Sequence, residues 1–348
     1  MKKFLIYLAA LAAVSVSCQK ETKLPESSTE GVIYLNIDPS LTGTRADAPD
    51  ISSRDYETVI RKVDILIFNE QGQLNLYHPA GTSLNGIKLS VTTGQKEIWA
   101  VINGPDLSSV VRLADIKALK TMLEDNVISG DGHGFIMAGS QSCMVTPAAE
   151  GNECTLTVRR FAARVALTRL SVNMSSAYKE IKIGNVMLTN VVANQNLDGA
   201  AEPSVWYNKK GLTAGGAVID GTVGKEADCP GLTFRTVGTT VQNKNDLTIG
   251  SPWYFYGYPN PTAADAAEAD GSFKAEHTRL VITAEIDGQT YYYPVTLPSF
   301  VRNTAYEVEL TIEGLGTDSP DTIPEKGVVN ATVTIQPWGV GAVIIEKI

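Results

Sequence analysis

The sequence predicts a mainly β protein made of two tandem β-sandwich domains, with one or two short helices inserted in the first. Three observations predict this fold class. Short segments with apolar residues at every second position recur along the chain, which is typical of half-buried strands. Turn residues separate these segments, and Asp287-Gly288 is a strong hairpin signal. Helical spacing of apolar residues is clear over 107–124, where it predicts a packing face.

The predicted strands fall into two groups of similar style. The first group comprises 31–38, 58–68, 73–77, 87–91, 97–103, 135–138 and 155–159. The second comprises 163–172, 181–192, 252–258, 278–286, 290–297, 304–313 and 329–335. Small and turn-forming residues dominate 193–250 and 259–276, which are predicted to be long loops. A boundary near 159–164 gives domains at 31–160 and 161–348.

Composition argues against a disordered chain and against a nucleic-acid-binding protein. The chain has 348 residues, the length of about two domains. Hydrophobic residues make up 43% and charged residues 19%, which argues against a disordered chain. The 38 acidic and 29 basic residues give a net charge of −9, which argues against a nucleic-acid partner.

The N-terminus predicts export. Lys2 and Lys3 precede an apolar stretch at 4–16, which is too short to span a bilayer but has the length of a signal-peptide core. Small residues then lead directly to Cys18. This pattern resembles a Gram-negative lipoprotein signal, so 1–17 would be removed and Cys18 acylated with chains such as palmitate. The alternative is an ordinary secretory signal with a chance cysteine. The polar segment 18–30 is predicted to be a tether.

The remaining cysteines leave two alternatives open. Cys143 and Cys154 flank a turn-like segment at 147–152 and could pair across a hairpin, since an exported protein can form disulfides. Alternatively, these two thiols and Cys229 all stay free.

No motif for catalysis or metal binding stands out. The sequence lacks the signatures of serine hydrolases, zinc proteases, P-loops and dinucleotide-binding turns. His78, His133 and His277 are far apart, and Asp131 with His133 is best interpreted as a polar loop. We therefore predict no catalytic residue, no metal site, no cofactor and no enzymatic activity.

The chain resembles the fimbrillins, subunits of the donor-strand (type V) pili of anaerobic Gram-negative bacteria, from its lipoprotein signal to its last residue. The order and spacing of several segments carry the resemblance. They are VDILIF at 63–68, QKEIWAVIN at 95–103, FIMAGS at 135–140, VRRFAARV at 158–165, WYFYGYPN at 253–260, RNTAYEV at 302–308 and TVTIQPW at 332–338.

The resemblance implies two transthyretin-like sandwich domains and an assembly mechanism. A lipoprotein precursor is held at the outer membrane by its acyl chains, and a protease of trypsin-like specificity cuts it after an arginine in the first loop. The first strand leaves, and the C-terminal strand of another copy or a related subunit fills the groove. The resulting surface fimbrium supports adhesion to a host or bacterial receptor.

Both ends of this sequence match that mechanism. The segment 31–38 alternates in the manner of a strand, and the residues assigned to the displaced first strand are Val32, Ile33, Tyr34, Leu35 and Ile37. Small and polar residues surround Arg45, so the cut is predicted between Arg45 and Ala46. Arg54 is the competing site, and the alternative is that the strand stays in place.

The C-terminal segment 340–348 is predicted to be the donor strand. It follows Pro337-Trp338-Gly339, which ends the preceding strand. Its apolar residues are Val340, Ala342, Val343, Ile344, Ile345 and Ile348. The alternative is a last strand that completes the protein's own sheet. Such a tail favours a stalk or anchor-proximal subunit over a tip subunit.

One rival function comes from the aromatic residues. A non-polymerising outer-membrane lipoprotein could bind glycan or a host protein through its loops. Tyr291-Tyr292-Tyr293 and the run at 253–258 would then supply stacking surfaces. Core and cross-strand packing is the favoured interpretation of these aromatics.

Overall fold

The computed structural model describes residues 29–39, 57–126, 134–147, 151–200, 202–209, 218–219, 232–265, 276–338 and 344–347. The strands of the first part are β1 (Glu30–Asp38), β2 (Val63–Phe68), β3 (Leu74–Pro79), β4 (Ile87–Thr92), β5 (Gly94–Ile102), β6 (Lys120–Met122), β7 (Met137–Val145), β8 (Asn152–Thr157) and β9 (Arg159–Arg160). Those of the second part are β10 (Ala163–Val172), β11 (Glu180–Thr189), β12 (Val191–Val192), β13 (Asn194–Asn196), β14 (Trp206–Tyr207), β15 (Val218–Ile219), β16 (Phe234–Gln242), β17 (Trp253–Gly257), β18 (Arg279–Ile286), β19 (Gln289–Thr296), β20 (Thr304–Ile312), β21 (Val329–Pro337) and β22 (Ile344–Lys347).

Helix is scarce in the described chain. It comprises α1 (Leu113–Ala118) and a 3-10 turn at Leu123–Asp125. The carboxylate of Asp115 accepts a hydrogen bond from the Arg112 backbone N–H at 2.7 Å, which caps the start of α1. Ile116 is buried on the packing face. The prediction of a mainly β fold is therefore confirmed, and α1 lies within 107–124 as expected.

Two sheets enclose the first core. A three-stranded sheet has the order β4-β1-β8, and a five-stranded sheet has the order β3-β2-β5-β7-β9. Side chains from both sheets share one apolar cluster, here called the first core. It consists of Ile33, Leu35, Ile37, Val63, Ile65, Ile67, Ile87, Leu89, Val91, Ile98, Ala100, Ile102, Met137, Val145, Cys154, Leu156 and Val158. The two faces of β2 are both buried, because its alternate side chains enter a second cluster on the other side.

The second, larger core fills the remainder of the described chain. It lies among α1, the outer face of the five-stranded sheet, and two further sheets with orders β17-β10-β20-β21-β22 and β16-β11-β18-β19. Sheet membership changes between Arg160 of β9 and Ala163 of β10, near the predicted boundary. The division into domains at 160 and 161 stays a prediction, because the second core packs continuously from one part to the other.

The structure confirms one predicted turn and corrects one predicted loop. Asp287 and Gly288 both have positive φ, 49° and 78°, as a two-residue hairpin between β18 and β19 needs. The prediction of a long loop over 193–250 is wrong, because β16 pairs with β11 inside it and β13 and β14 add short ladders. Most side chains of β16 are exposed at a sheet edge, so the segment lacks the apolar alternation that marks a core strand.

Candidate functional site

β1 occupies the middle of its sheet. It pairs antiparallel with β4, where Ile33 is opposite Leu89, and parallel with β8, where Leu35 is opposite Cys154. Ile33 and Leu35 have no exposed surface, and Ile37 is 3% exposed. The side chains of the other face, at 32, 34 and 36, are partly exposed. The alternation predicted for the first strand is observed.

Removal of β1 would open a groove. Among the described strands, β4 and β8 form ladders with β1 alone. Without β1, both strands would lose their backbone partner, and Leu89 and Leu156 would lose apolar cover. Each such aliphatic side chain contributes about 1.5–3 kcal/mol when fully buried. Two facing strand edges above an apolar floor are a template for another strand.

The segment after β1 carries the predicted cut. Arg45, Ala46 and Arg54 lie outside the described residues, as does Cys18. The structure describes the chain to Pro39 and again from Glu57. The lipidation and cleavage assignments therefore stay predictions.

The C-terminal strand pairs within its own chain. β22 runs antiparallel to β21 at the edge of the five-stranded sheet of the second part, with Ile344 opposite Ile335 and Lys347 opposite Thr332. This arrangement matches the alternative prediction, in which the last strand completes the protein's own sheet. Among the described strands β22 has one neighbour, so its release breaks a single ladder. The other proposed donor residues lie outside the described residues: Val340, Ala342, Val343 and Ile348.

A buried charged cluster lies where the first and second parts meet, and we call it the junction cluster. Its centre is Glu57, which has no exposed surface. The Glu57 carboxylate accepts hydrogen bonds from Arg164 Nη1 at 2.8 Å, the Tyr256 hydroxyl at 2.7 Å and Trp338 Nε1 at 3.3 Å. Arg160 donates to the backbone oxygens of Glu57 at 3.0 Å and Trp338 at 3.3 Å. Every member thus bonds to Glu57.

The junction cluster combines a cation–π contact with buried charge. The Arg160 guanidinium lies 4.4 Å from the centroid of the Trp338 ring, a cation–π contact. Burial lowers the pKa of Arg160 to about 10, and the Glu57 charge opposes that fall. A buried arginine of this kind keeps its charge at neutral pH because a carboxylate accompanies it.

The junction cluster is adjacent in sequence to two segments that the predicted assembly mechanism uses. Glu57 directly follows the segment 40–56, which contains the predicted cut, and Trp338 directly precedes the segment 339–343, which leads to β22. In sequence, the first segment therefore ends at the junction cluster and the second begins there. No sequence pattern marks Glu57, whereas its partners Arg160, Arg164, Tyr256 and Trp338 all lie in segments that carry the family resemblance.

The two thiols of the first part are free and close together. Cys143 is partly buried on β7 and Cys154 is buried on β8. These strands belong to different sheets, so the two cysteines are not neighbours in a hairpin ladder, and their pairing stays a prediction. Instead both thiols pack on the first core. Burial, and then the charge and hydrogen bonding of Cys143, raise the pKa of Cys154 to about 12. Cys229 lies outside the described residues.

Most residues of the aromatic runs belong to the interior, whereas Tyr254, Tyr291 and Tyr292 are partly exposed. Trp253, Tyr256 and Tyr258 are 8%, 0% and 0% exposed, and Tyr293 is also buried. Within the described ranges, no group of three or more acidic, histidine or cysteine side chains is placed to hold a metal ion. In the same ranges no helix has the length and apolarity needed to cross a membrane.

Comparison with known proteins agrees with this architecture. No protein-family model matches the chain. It is 22% identical over 403 residues to the major fimbrium subunit FimA type-2 of Porphyromonas gingivalis, covering 97% of this chain and 98% of that protein. The type-3 subunit of the same organism is also 22% identical, with the same coverage of both chains.

Solved structures share the fold. A fimbrilin (FimA) from Porphyromonas gingivalis W83 has a TM-score of 0.61 at 17% identity, covering 90% of this chain and 99% of that chain. A candidate cell adhesion protein from Bacteroides eggerthii has a TM-score of 0.60 at 17% identity, covering 89% and 97%. The tip fimbrial protein Mfa3 of Porphyromonas gingivalis has a TM-score of 0.51 at 14% identity, covering 89% and 100%.

The stacked sheets and the full-length similarity show a β-rich protein that is similar to fimbrial subunits. The curated relatives are named as major subunits of a fimbrium. The resemblance to the fimbrillins predicted from its segments is confirmed by these similarities, which span nearly the whole chain.

Proposed function

We propose that this chain is a structural subunit of a surface pilus that polymerises by strand exchange. The observation that carries the proposal is the position of β1. It is the middle strand of β4-β1-β8, it covers the first core, and 40–56 with its two arginines follows it. Loss of β1 creates a groove of the shape that an extended apolar segment fills.

The remaining steps of the proposal follow from the two ends of the chain. The precursor is exported, acylated at Cys18 and held at the outer membrane until a trypsin-like protease cuts after Arg45. The donor is the segment 340–348, supplied by another copy or by a related subunit. β22 lies at a sheet edge with one described neighbour. Its release from its own chain therefore breaks one strand ladder. The finished fimbrium presents the subunit for adhesion to a surface receptor.

The competing function is a surface lipoprotein that never polymerises. The aromatic residues proposed as its stacking surfaces are largely core residues, which favours the pilus subunit.

Replacement of one arginine tests the processing step. In the native surface fraction, we expect a mature N-terminus at Ala46 and SDS-resistant ladders, measured by N-terminal sequencing, intact mass and unheated gels. Arg45→Ala should remove both, because the protease needs a cationic side chain before the cut, and Arg54→Ala is the matched control that should keep both. An acylated Cys18 that persists through added trypsin, with a monomer throughout, would contradict the proposal. A ladder that Arg54→Ala abolishes instead would move the cut to Arg54.

A further inference from the structure

β8 depends on β1 for its place in the sheet. Along the described strands its ladder is the parallel pairing with β1, from Ile33 opposite Asn152 to Asp38 opposite Thr157. β8 also carries Cys154 and Leu156, which belong to the first core. If β1 leaves, β8 keeps no described backbone partner, although the groove needs β8 as one of its walls.

Both ends of β8 lie against β7. At one end a Cβ on Gly139 would lie 2.0 Å from the Thr157 carbonyl oxygen, so only glycine allows the two backbones to approach so closely. At the other end the Asn152 side chain accepts a hydrogen bond from the Thr146 N–H at 3.1 Å and donates one to the Thr146 carbonyl at 3.0 Å. The chain at β7 therefore lies in close contact with β8 at two places, one near each end of β8.

The two thiols lie between these two places of contact and face the same interior. Cys143 is four residues from Gly139, and Cys154 is three residues from Thr157. Cys154 is 7% exposed in the first core, and Cys143 packs on that core from the opposite sheet. The raised pKa of Cys154, in part caused by Cys143, is consistent with adjacent sulfur atoms.

We propose that Cys143 and Cys154 form a disulfide in the exported protein, and that this bond holds β8 on β7 while β1 is exchanged. The second half of the proposal rests on the strand exchange proposed above. The first half stands without it. The bond would join the two sheets at the edge of the groove and would leave the ladder positions of β1 free for a donor.

The oxidant required is a protein disulfide of the exported compartment. Cys143, the more exposed thiol, loses its proton, and its sulfur attacks the oxidant disulfide, from which one sulfur leaves and takes up a proton. Cys154 then loses its proton, and its sulfur attacks Cys143 Sγ, which breaks the mixed disulfide and releases the second oxidant sulfur as a thiol. The two cysteines lose two protons and two electrons, and the oxidant disulfide gains both.

Mass spectrometry tests the bond. Protein from the native surface fraction is alkylated at harvest without reduction. It is then cut by a Glu-specific protease, because Glu150 separates the two cysteines whereas the chain has no Lys or Arg between them. We expect one cross-linked pair of peptides that separates on reduction, with Cys229 alkylated. Alkylation of both Cys143 and Cys154 would overturn the proposal.

Strand exchange tests the role of the bond. Cys143→Ser and reduced wild type should each lose about tenfold in ladder yield, whereas Cys229→Ser should match oxidised wild type. Melting of the uncut Cys143→Ser chain, monitored by circular dichroism, checks that it folds. Equal yields from oxidised and reduced wild type would overturn the role. If no form makes ladders, the proposed function fails, and the peptide analysis still decides the bond.

Discussion

Deletion of 340–348 is expected to abolish SDS-resistant ladders completely. The deleted chain keeps β1, the cut segment and the groove, but it has no strand to donate. Its own fold should change little, because β22 pairs with β21 alone among the described strands. Unheated gels of the surface fraction measure the ladders, and thermal melting of the purified chain checks the fold.

A conservative change in the same segment provides the control. Glu346→Gln keeps the length of the tail and all its apolar residues, so it should keep the ladders. Ladders of normal length from the deleted chain would show that 340–348 is not the donor. Such a result would leave β22 as an ordinary edge strand of its own sheet.

Loss of the Glu57 carboxylate is expected to be the most damaging single change to stability. Glu57→Ala leaves the buried donors of Arg164, Tyr256 and Trp338 without their acceptor. Removal of one partner from a buried ion pair costs about 3–5 kcal/mol, since an unpaired charge stays in the interior. Urea unfolding of the purified, uncut chain at neutral pH measures the change in the free energy of unfolding.

The matched control for Glu57 is a surface ion pair. Asp246 accepts from Arg169 Nε at 3.1 Å, and the two side chains are 52% and 56% exposed. Asp246→Ala should therefore lower the free energy of unfolding far less than Glu57→Ala does, because solvent screens an exposed ion pair. An effect of Glu57→Ala as small as that of the control would mean that the junction cluster does not stabilise the fold.

The features that the sequence predicted well are local ones. The alternation of β1 and the Asp287-Gly288 turn depend on residues close together in the chain, and both are observed. The opposite holds for Glu57, whose side-chain partners lie 107 to 281 positions away. No local pattern distinguishes this glutamate from a solvated one, so only the folded chain identifies it.

Two other differences between the sequence-based predictions and the structure also have physical causes. β16 has two buried residues, Phe234 and Val241, so its strand character comes from pairing with β11 and not from a core-facing pattern. The continuous apolar run at 343–345 suits an edge strand and a groove equally well. The sequence therefore could not decide where β22 rests, and the structure shows only its position on its own chain.

The most direct test of strand exchange separates the donor from the acceptor. A donor-only chain carries Arg45→Ala and Arg54→Ala, so it keeps both β1 and its tail. An acceptor-only chain lacks 340–348 and is cut after Arg45. When the two are mixed, the account predicts an SDS-resistant dimer with one copy of each, and nothing longer, measured on unheated gels and by mass. No dimer in the mixture, or ladders from either chain alone, would contradict it.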